Sequence, residues 1–266
     1  MIRQIPILFL ILLISARAFA YVFDFRNSRV APFFRATAAD TQQSSQAYSG
    51  TSGSDTDFSE GVQFGFSGEL GVQFNINSDF SFRVGAEGYQ GKSIDAIGTL
   101  NSNGSQLMTV NSLATVINPN AGIQYNMLSS DRGGRIYLLL DGGYAMATVA
   151  NDDSLTSAGQ SEYGASGVTN VNEKWNGDTI SYVAGVGAEY HAFSNTTIGL
   201  EAGYRQMQFN KFTYANSGHA IRGSGSSAYQ QVSSGSVVTD NSGARVSLNM
   251  SGLFLGVVLR FYIPSE

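Results

Sequence analysis

Between Val62 and Gly88 apolar and polar residues alternate almost without interruption. Val62, Phe64, Phe66, Leu70, Val72, Phe74 and Ile76 fall on one parity, with Gln63, Ser67, Glu69, Gln73 and Asn75 on the other. After Asn77, Ser78 and Asp79 the alternation resumes, with Phe80, Phe82, Val84 and Ala86 set against Ser81, Arg83, Gly85 and Glu87. Side chains of a strand alternate between its two faces, so each segment presents one apolar and one polar face. Two strands joined by a few turn residues make a hairpin.

The same pattern predicts eight strands. They cover about Val30 to Ala39, Gly61 to Ile76, Phe80 to Asp95, Leu113 to Leu128, Arg135 to Val149, Ile180 to Phe193, a segment through Ile198 and Tyr204, and Val246 to Ile263. The connections near Asn77, Ser130 and Asn195 are short, whereas those at about 40–60, 96–112, 150–178 and 215–243 are long and rich in Ser, Gly, Thr and Asn. Short turns on one side and long loops on the other characterise an antiparallel transmembrane β-barrel, with the short turns facing the periplasm. The expected fold is therefore all-β, an eight-stranded barrel with both termini on the periplasmic side. Ten strands are the alternative, because Tyr21 to Phe25 also alternates. A soluble β-sandwich would also hide one apolar parity, but leaves the charges of the other parity and the unequal connections unexplained. Loops of this composition bury little apolar area, so mobile tips are expected, with acidic residues such as Asp152, Asp153, Glu162, Glu173 and Asp178 keeping them solvated.

If the apolar parity meets lipid, the other parity lines the barrel. It carries Glu69, Arg83, Glu87, Asp141, Glu189, Glu201, Arg205 and Arg260. Pro32, Phe33 and Phe34 blur the parity of the first strand, but an arginine facing mid-bilayer costs about 2–4 kcal/mol, which places Arg35 inward as well. Eight strands enclose only enough space for side chains to fill. Carboxylates and guanidiniums confined there are expected to pair, because an unpaired buried charge is very unfavourable.

Composition narrows the class further. Residues 1–20 combine Arg3, an apolar run from Ile5 to Ile14 and the small-x-small exit Ala18-Phe19-Ala20, the pattern of a cleaved signal peptide, leaving 21–266 as the mature barrel. There is no cysteine and hence no disulfide. Only 13% of residues are charged, against about 25% in soluble domains, and the net charge of -5 without a basic cluster argues against nucleic acid.

The C-terminal Gly256-Val257-Val258-Leu259-Arg260-Phe261 resembles the terminal-strand signal read by the outer-membrane barrel assembly machinery. It differs in carrying Phe254 at a usually polar position and in continuing through Tyr262 to Glu266 past the terminal aromatic. With the signal peptide and the strand plan, the whole mature chain resembles the small eight-stranded outer-membrane barrels of the OmpA, OmpX and OmpW type. That resemblance implies a bacterial outer-membrane location, contact with outer-membrane lipid and lipopolysaccharide, and insertion by the assembly machinery.

Candidate chemistry is sparse, and no catalytic, cofactor-binding or metal site is expected. His191 and Ser194 faintly resemble the His/Ser pair of barrel lipid A deacylases, at a spacing one residue too long and at the turn end. His219 has no ligand partner at metal-site spacing. Gly91-Lys92-Ser93 and Gly223-Ser224-Gly225 lack the strand-to-helix context of a phosphate loop. The expected function is structural or surface-interacting, exerted by the loops of a monomer on an unidentified extracellular partner. A small pore or conduit for apolar solutes is the alternative, and an envelope-lipid enzyme comes third.

Overall fold

A computed structural model of the chain describes residues 28–39, 56–58, 66–100, 104–130, 134–222, 225–239 and 243–264. The expected signal peptide and the strand-like Tyr21 to Phe25 lie outside the described residues. Eight long strands are β1 (Ser28–Ala39), β2 (Phe66–Asn75), β3 (Phe80–Leu100), β4 (Gln106–Ser130), β5 (Gly134–Leu155), β6 (Asn170–Phe193), β7 (Thr196–Phe209) and β8 (Gly252–Phe261). Each pairs antiparallel with its successor, the last long connection separating β7 from β8, and β8 closes the ring on β1 through Arg35↔Val258 and its neighbours. The fold is thus an eight-stranded antiparallel transmembrane barrel. Following directly opposed residues from Val30 once round the ring returns to β1 about ten residues further along, the stagger that tilted barrel strands require.

The outer surface explains the first alternation. On β5, Ile136, Leu138, Leu140, Tyr144 and Met146 are exposed, and the span Ile136–Met146 matches the about nine to eleven residues that a tilted strand needs to cross hydrocarbon. Tyr144, Tyr182 and Tyr204 edge the band toward the loop end, and Tyr125, Tyr190, Phe193 and Phe261 edge it toward the turn end, as in the aromatic girdles of membrane barrels.

Beyond the band the alternation inverts. On β5 the outward residues become Thr148, Ala150, Asp152 and Ser154, while the inward Ala145, Ala147 and Val149 are buried. On β6 the outward residues are Asn172, Lys174, Asn176 and Asp178, with Val171 and Trp175 buried inside. The expected loops at 96–112 and 150–178 are therefore mostly strand: β3 runs to Leu100, β4 starts at Gln106, β5 runs to Leu155 and β6 starts at Asn170. Their polar outward residues face water, where a strand needs no apolar exterior.

The short turns are held by local chemistry. Asn77 Oδ1 accepts hydrogen bonds from the backbone N–H groups of Asp79 (2.9 Å) and Phe80 (2.8 Å), closing the β2–β3 turn. The extension past Phe261 also has a place: Ile263–Pro264 pairs with Ser28 and Val30 of β1, and Tyr262 turns inward.

Candidate functional site: barrel interior and loop end

All nine charged residues expected to line the barrel are buried: Arg35, Glu69, Arg83, Glu87, Asp141, Glu189, Glu201, Arg205 and Arg260. Arg135, at the start of β5, joins them and brings the lining, among the described residues, to five guanidiniums against five carboxylates. Formal charge therefore balances within a space where imbalance would be costly.

Glu201 is the hub of the network. It meets Arg35 at 3.1 Å, Arg260 at 2.9 Å and Arg83 at 3.4 Å, and accepts a hydrogen bond from the Tyr137 hydroxyl at 2.8 Å. Toward the turn end, Glu189 accepts from Arg260 (2.8 Å), Arg135 (2.7 Å) and the Tyr262 hydroxyl (2.9 Å). Toward the loop end, Arg35 pairs with Glu69, Arg83 forks onto Asp141, and Arg205 lies over the Tyr89 ring at 4.5 Å while donating to its hydroxyl. Glycines make the room. A side chain at Gly122 would collide with Asp141, and one at Gly187 with the Tyr137 ring. The space among Arg35, Glu87, Asn118, Asn120 and Asp141 has no volume for a water-sized sphere. This part of the barrel is plugged by its own side chains.

The loop half is filled differently, by an apolar cluster. Trp175, Met207, Phe209, Phe212, Tyr214, Val238, Val246 and Met250 pack with inward residues of β4 and β5. Several of them belong to the last long connection, which turns back into the barrel mouth. Its start, Thr213–Tyr214, extends the edge of β6, and its hairpin pairs Gly218–Ile221 with Tyr229–Val232. A second cluster joins Ile221 and Ala228 to Leu107, Met108, Val110, Leu155 and Tyr163. The third connection contributes a short helix, α1 (Ser157–Glu162), whose N-cap Thr156 accepts from the Gly159 N–H at 3.1 Å. The two connections meet where the Tyr229 N–H donates to the Tyr163 carbonyl at 3.1 Å.

The expectation of mobile, solvated third and fourth loops is corrected by this packing. Their apolar residues are few but inward, so they bury area against the strand extensions. Two of the acidic residues expected to be solvated are buried as well. Glu173 pairs with Arg222 (3.1 Å to Nη1) and accepts from the Trp175 indole N–H at 3.0 Å, and Asp153 is buried beside the pair. Arg222 also stacks over Trp175 at 5.6 Å and Tyr214 at 5.4 Å. Burial opposes the charge of Arg222 most strongly, but Glu173, Tyr214 and Asp153 together outweigh it and hold the guanidinium pKa above its ordinary value. Burial likewise raises the Tyr214 hydroxyl. In the first connection, Asp57 lies in a short strand, Thr56–Phe58, paired with β3, whereas Asp55 and Glu60 lie outside the described residues.

The sequence-singled chemistry does not assemble. His191 Nε2 lies 2.6 Å from the Ser194 carbonyl oxygen, a backbone contact of the β6–β7 turn rather than a His/Ser hydroxyl pair. His219 stacks on Tyr229, with centroids 4.7 Å apart. Lys92 and Ser93 are paired inside β3 opposite Leu113 and Ser112, so the Gly-Lys-Ser run is strand; Gly223 and Ser224 lie outside the described residues.

Among the described residues, a pocket opens at each of two places along the wall. One, of about 500 Å³, joins inward Ser67, Tyr89 and Val116 to outward Phe66, Gly68 and Ile117 at the end of β2. The other, of about 390 Å³, lies at the loop end between β4–β6 and the fourth connection.

No family model matches the chain, and no curated protein matches it. Among solved structures, it is similar to the outer membrane protein OprG of Pseudomonas aeruginosa, at 12% identity and TM-score 0.49, covering 90% of this chain and 98% of that one. It is also similar to a major outer membrane protein of Thermus thermophilus (13%, TM-score 0.44, covering 87% and 99%). The attachment invasion locus protein Ail of Yersinia pestis is more distant in shape (13%, TM-score 0.38, covering 88% and 99%). The chain's own closed ring, apolar band and charge-balanced lining make it an eight-stranded transmembrane β-barrel.

Proposed function

We propose that this protein is an outer-membrane barrel whose strands form a sealed anchor and whose activity is surface interaction by the folded loop end. The observation that carries this reading is the contrast between the two halves. The membrane half is closed by a balanced ion network, leaving little for it to transport, whereas the projecting half builds ordered polar surface well beyond the band that lipid needs. In this reading the loop end faces outward, the side on which membrane barrels carry their long connections.

The test is a loop exchange. Residues 157–168 replaced by a short Gly/Ser linker leave every barrel pairing in place. The variant is expected to insert and migrate on gels like the parent while its cells lose adhesion to abiotic and epithelial surfaces. Adhesion equal to that of the parent from cells carrying the variant counts against the reading.

The 500 Å³ pocket favours a second reading, a conduit for apolar solutes, because it brings inward and lipid-facing residues to one opening beside the apolar cluster. Solute flux in reconstituted vesicles separates the two.

A further inference from the structure

The pocket of about 390 Å³ at the loop end has a lining unlike the rest of the wall. Its strand side is built mainly from outward-facing residues on three neighbouring strands, with the buried Asn151 and Glu173 also lining it. Register places Asn111, Asp152 and Asn172 on one rung, and Leu113, Ala150 and Lys174 on the next. The facing side comes from the fourth connection, with Asn216, His219 and Val232. The Asp152, Asn172, Lys174 and Asn216 side chains make no hydrogen bond or ion pair among the described residues, so their polar atoms are available.

From this lining we infer that the pocket is a saccharide-binding site, a reading that rests on the surface-interaction role proposed above and specifies its ligand chemistry. Sugar hydroxyls both donate and accept. Amides do the same, a carboxylate accepts from neighbouring hydroxyls, and an ammonium donates, and all three are present here. The competing chemistries fit less well. A phosphate or sulfate group would meet Asp152 beside the lone cation Lys174, and anion sites avoid a carboxylate. An apolar solute would find Leu113, Ala150 and Val232 but leave the amides and charges unpaired, which costs binding. A divalent cation would find only Asp152 uncommitted, because the second carboxylate of the lining, Glu173, is already held by Arg222 and Trp175, and the described residues contain no cluster of three His, Cys, Asp or Glu. Leu113 and Val232 instead suit the apolar C–H face of a hexose, and the His219 ring is fixed by stacking on Tyr229. The volume lies within the range of about 300–1,000 Å³ of small-molecule sites.

Position supports the same class. The rung Leu113, Ala150, Lys174 lies four residues beyond Ile117, Met146 and Asp178, where the apolar band ends. With a rise of about 3.3 Å per residue and a tilt of about 40°, that is about 10 Å beyond the band edge. The sugars of a glycolipid embedded beside the barrel lie at that depth. A saccharide free in the medium reaches the same opening.

The experiment uses the full barrel in lipid nanodiscs with three probes: lipopolysaccharide with its core oligosaccharide, the same lipid reduced to lipid A, and the core oligosaccharide released by mild acid. Trp175, the chain's single tryptophan, is buried and hydrogen-bonded to Glu173 directly behind the pocket, so its fluorescence reports occupancy alongside calorimetry. Saturable binding of the released oligosaccharide supports a site for free saccharide. Binding of the intact glycolipid but neither other probe supports a membrane-borne one. In both cases D152A/K174A weakens binding by at least about tenfold. Ala150→Trp, which fills the floor without removing a polar group, abolishes it. Equal binding of lipid A and intact glycolipid, affinity unchanged in both variants, or silence with all three probes overturns the inference. Silence together with intact adhesion in the parent of the loop-exchange comparison overturns the pocket alone and leaves the surface-interaction reading standing.

Discussion

Glu201 faces three guanidiniums and a phenol, and Arg260 bridges it to Glu189, so single truncations in the lining cannot act independently. Arg260→Ala leaves Glu189 with Arg135 and Glu201 with two cations but removes the bridge, and breaking one partner of a buried pair costs about 3–5 kcal/mol. The expected outcome is a lower temperature for the heat-induced gel shift of the folded barrel. Glu201→Ala lowers it too, and the double variant loses less than the two singles combined, because the pair shares one network. An unchanged midpoint for Arg260→Ala would show that the bridge contributes nothing. At this scale the sequence is highly legible. Parity turned eight charges inward, and the cost of a charge on lipid added Arg35, since at that depth an inward position is the only stable one. Arg135 escaped notice because it sits beside a polar turn, where an arginine can equally well be solvated.

Among the elements, the strands divide into a half that sequence patterning exposes and a half that it hides. In the membrane half the rule is apolar outward, and Ile136 to Met146 obeys it. In the projecting half water replaces lipid and the rule reverses, so Asn, Thr and Ser on the outward parity look like loop. The usable signal was the inward set of Ala145, Ala147 and Val149 at a spacing of two, with Val171 and Trp175 on the next strand, all on the opposite parity. The fourth connection is fastened to this extension by the Arg222–Glu173 pair under Trp175. Arg222→Ala leaves Glu173 buried without its cation. The expected result is faster protease cleavage within 216–239 and a red-shifted Trp175 emission, with the heat-induced gel shift unchanged because the membrane half is untouched. Parental cleavage rate and emission would mean that apolar packing alone holds the connection.

For the whole molecule, two plugs of different chemistry occupy one barrel: ion pairs where the wall is surrounded by hydrocarbon, and aromatic and aliphatic side chains where it is surrounded by water. Planar bilayers containing the purified protein are therefore expected to stay silent, and reproducible conductance steps would contradict a sealed interior. Strand number, lipid-facing parity and the identity of most of the charged lining are written in the chain itself, because they depend on local period and on the energetic cost of misplacing a charge. Folding in three dimensions was needed to settle which carboxylate meets which guanidinium, that Tyr262 reaches Glu189, and that the third and fourth connections pack into the mouth. Those contacts join residues far apart in the chain through barrel closure and stagger, and no local periodicity encodes a partner on the opposite wall.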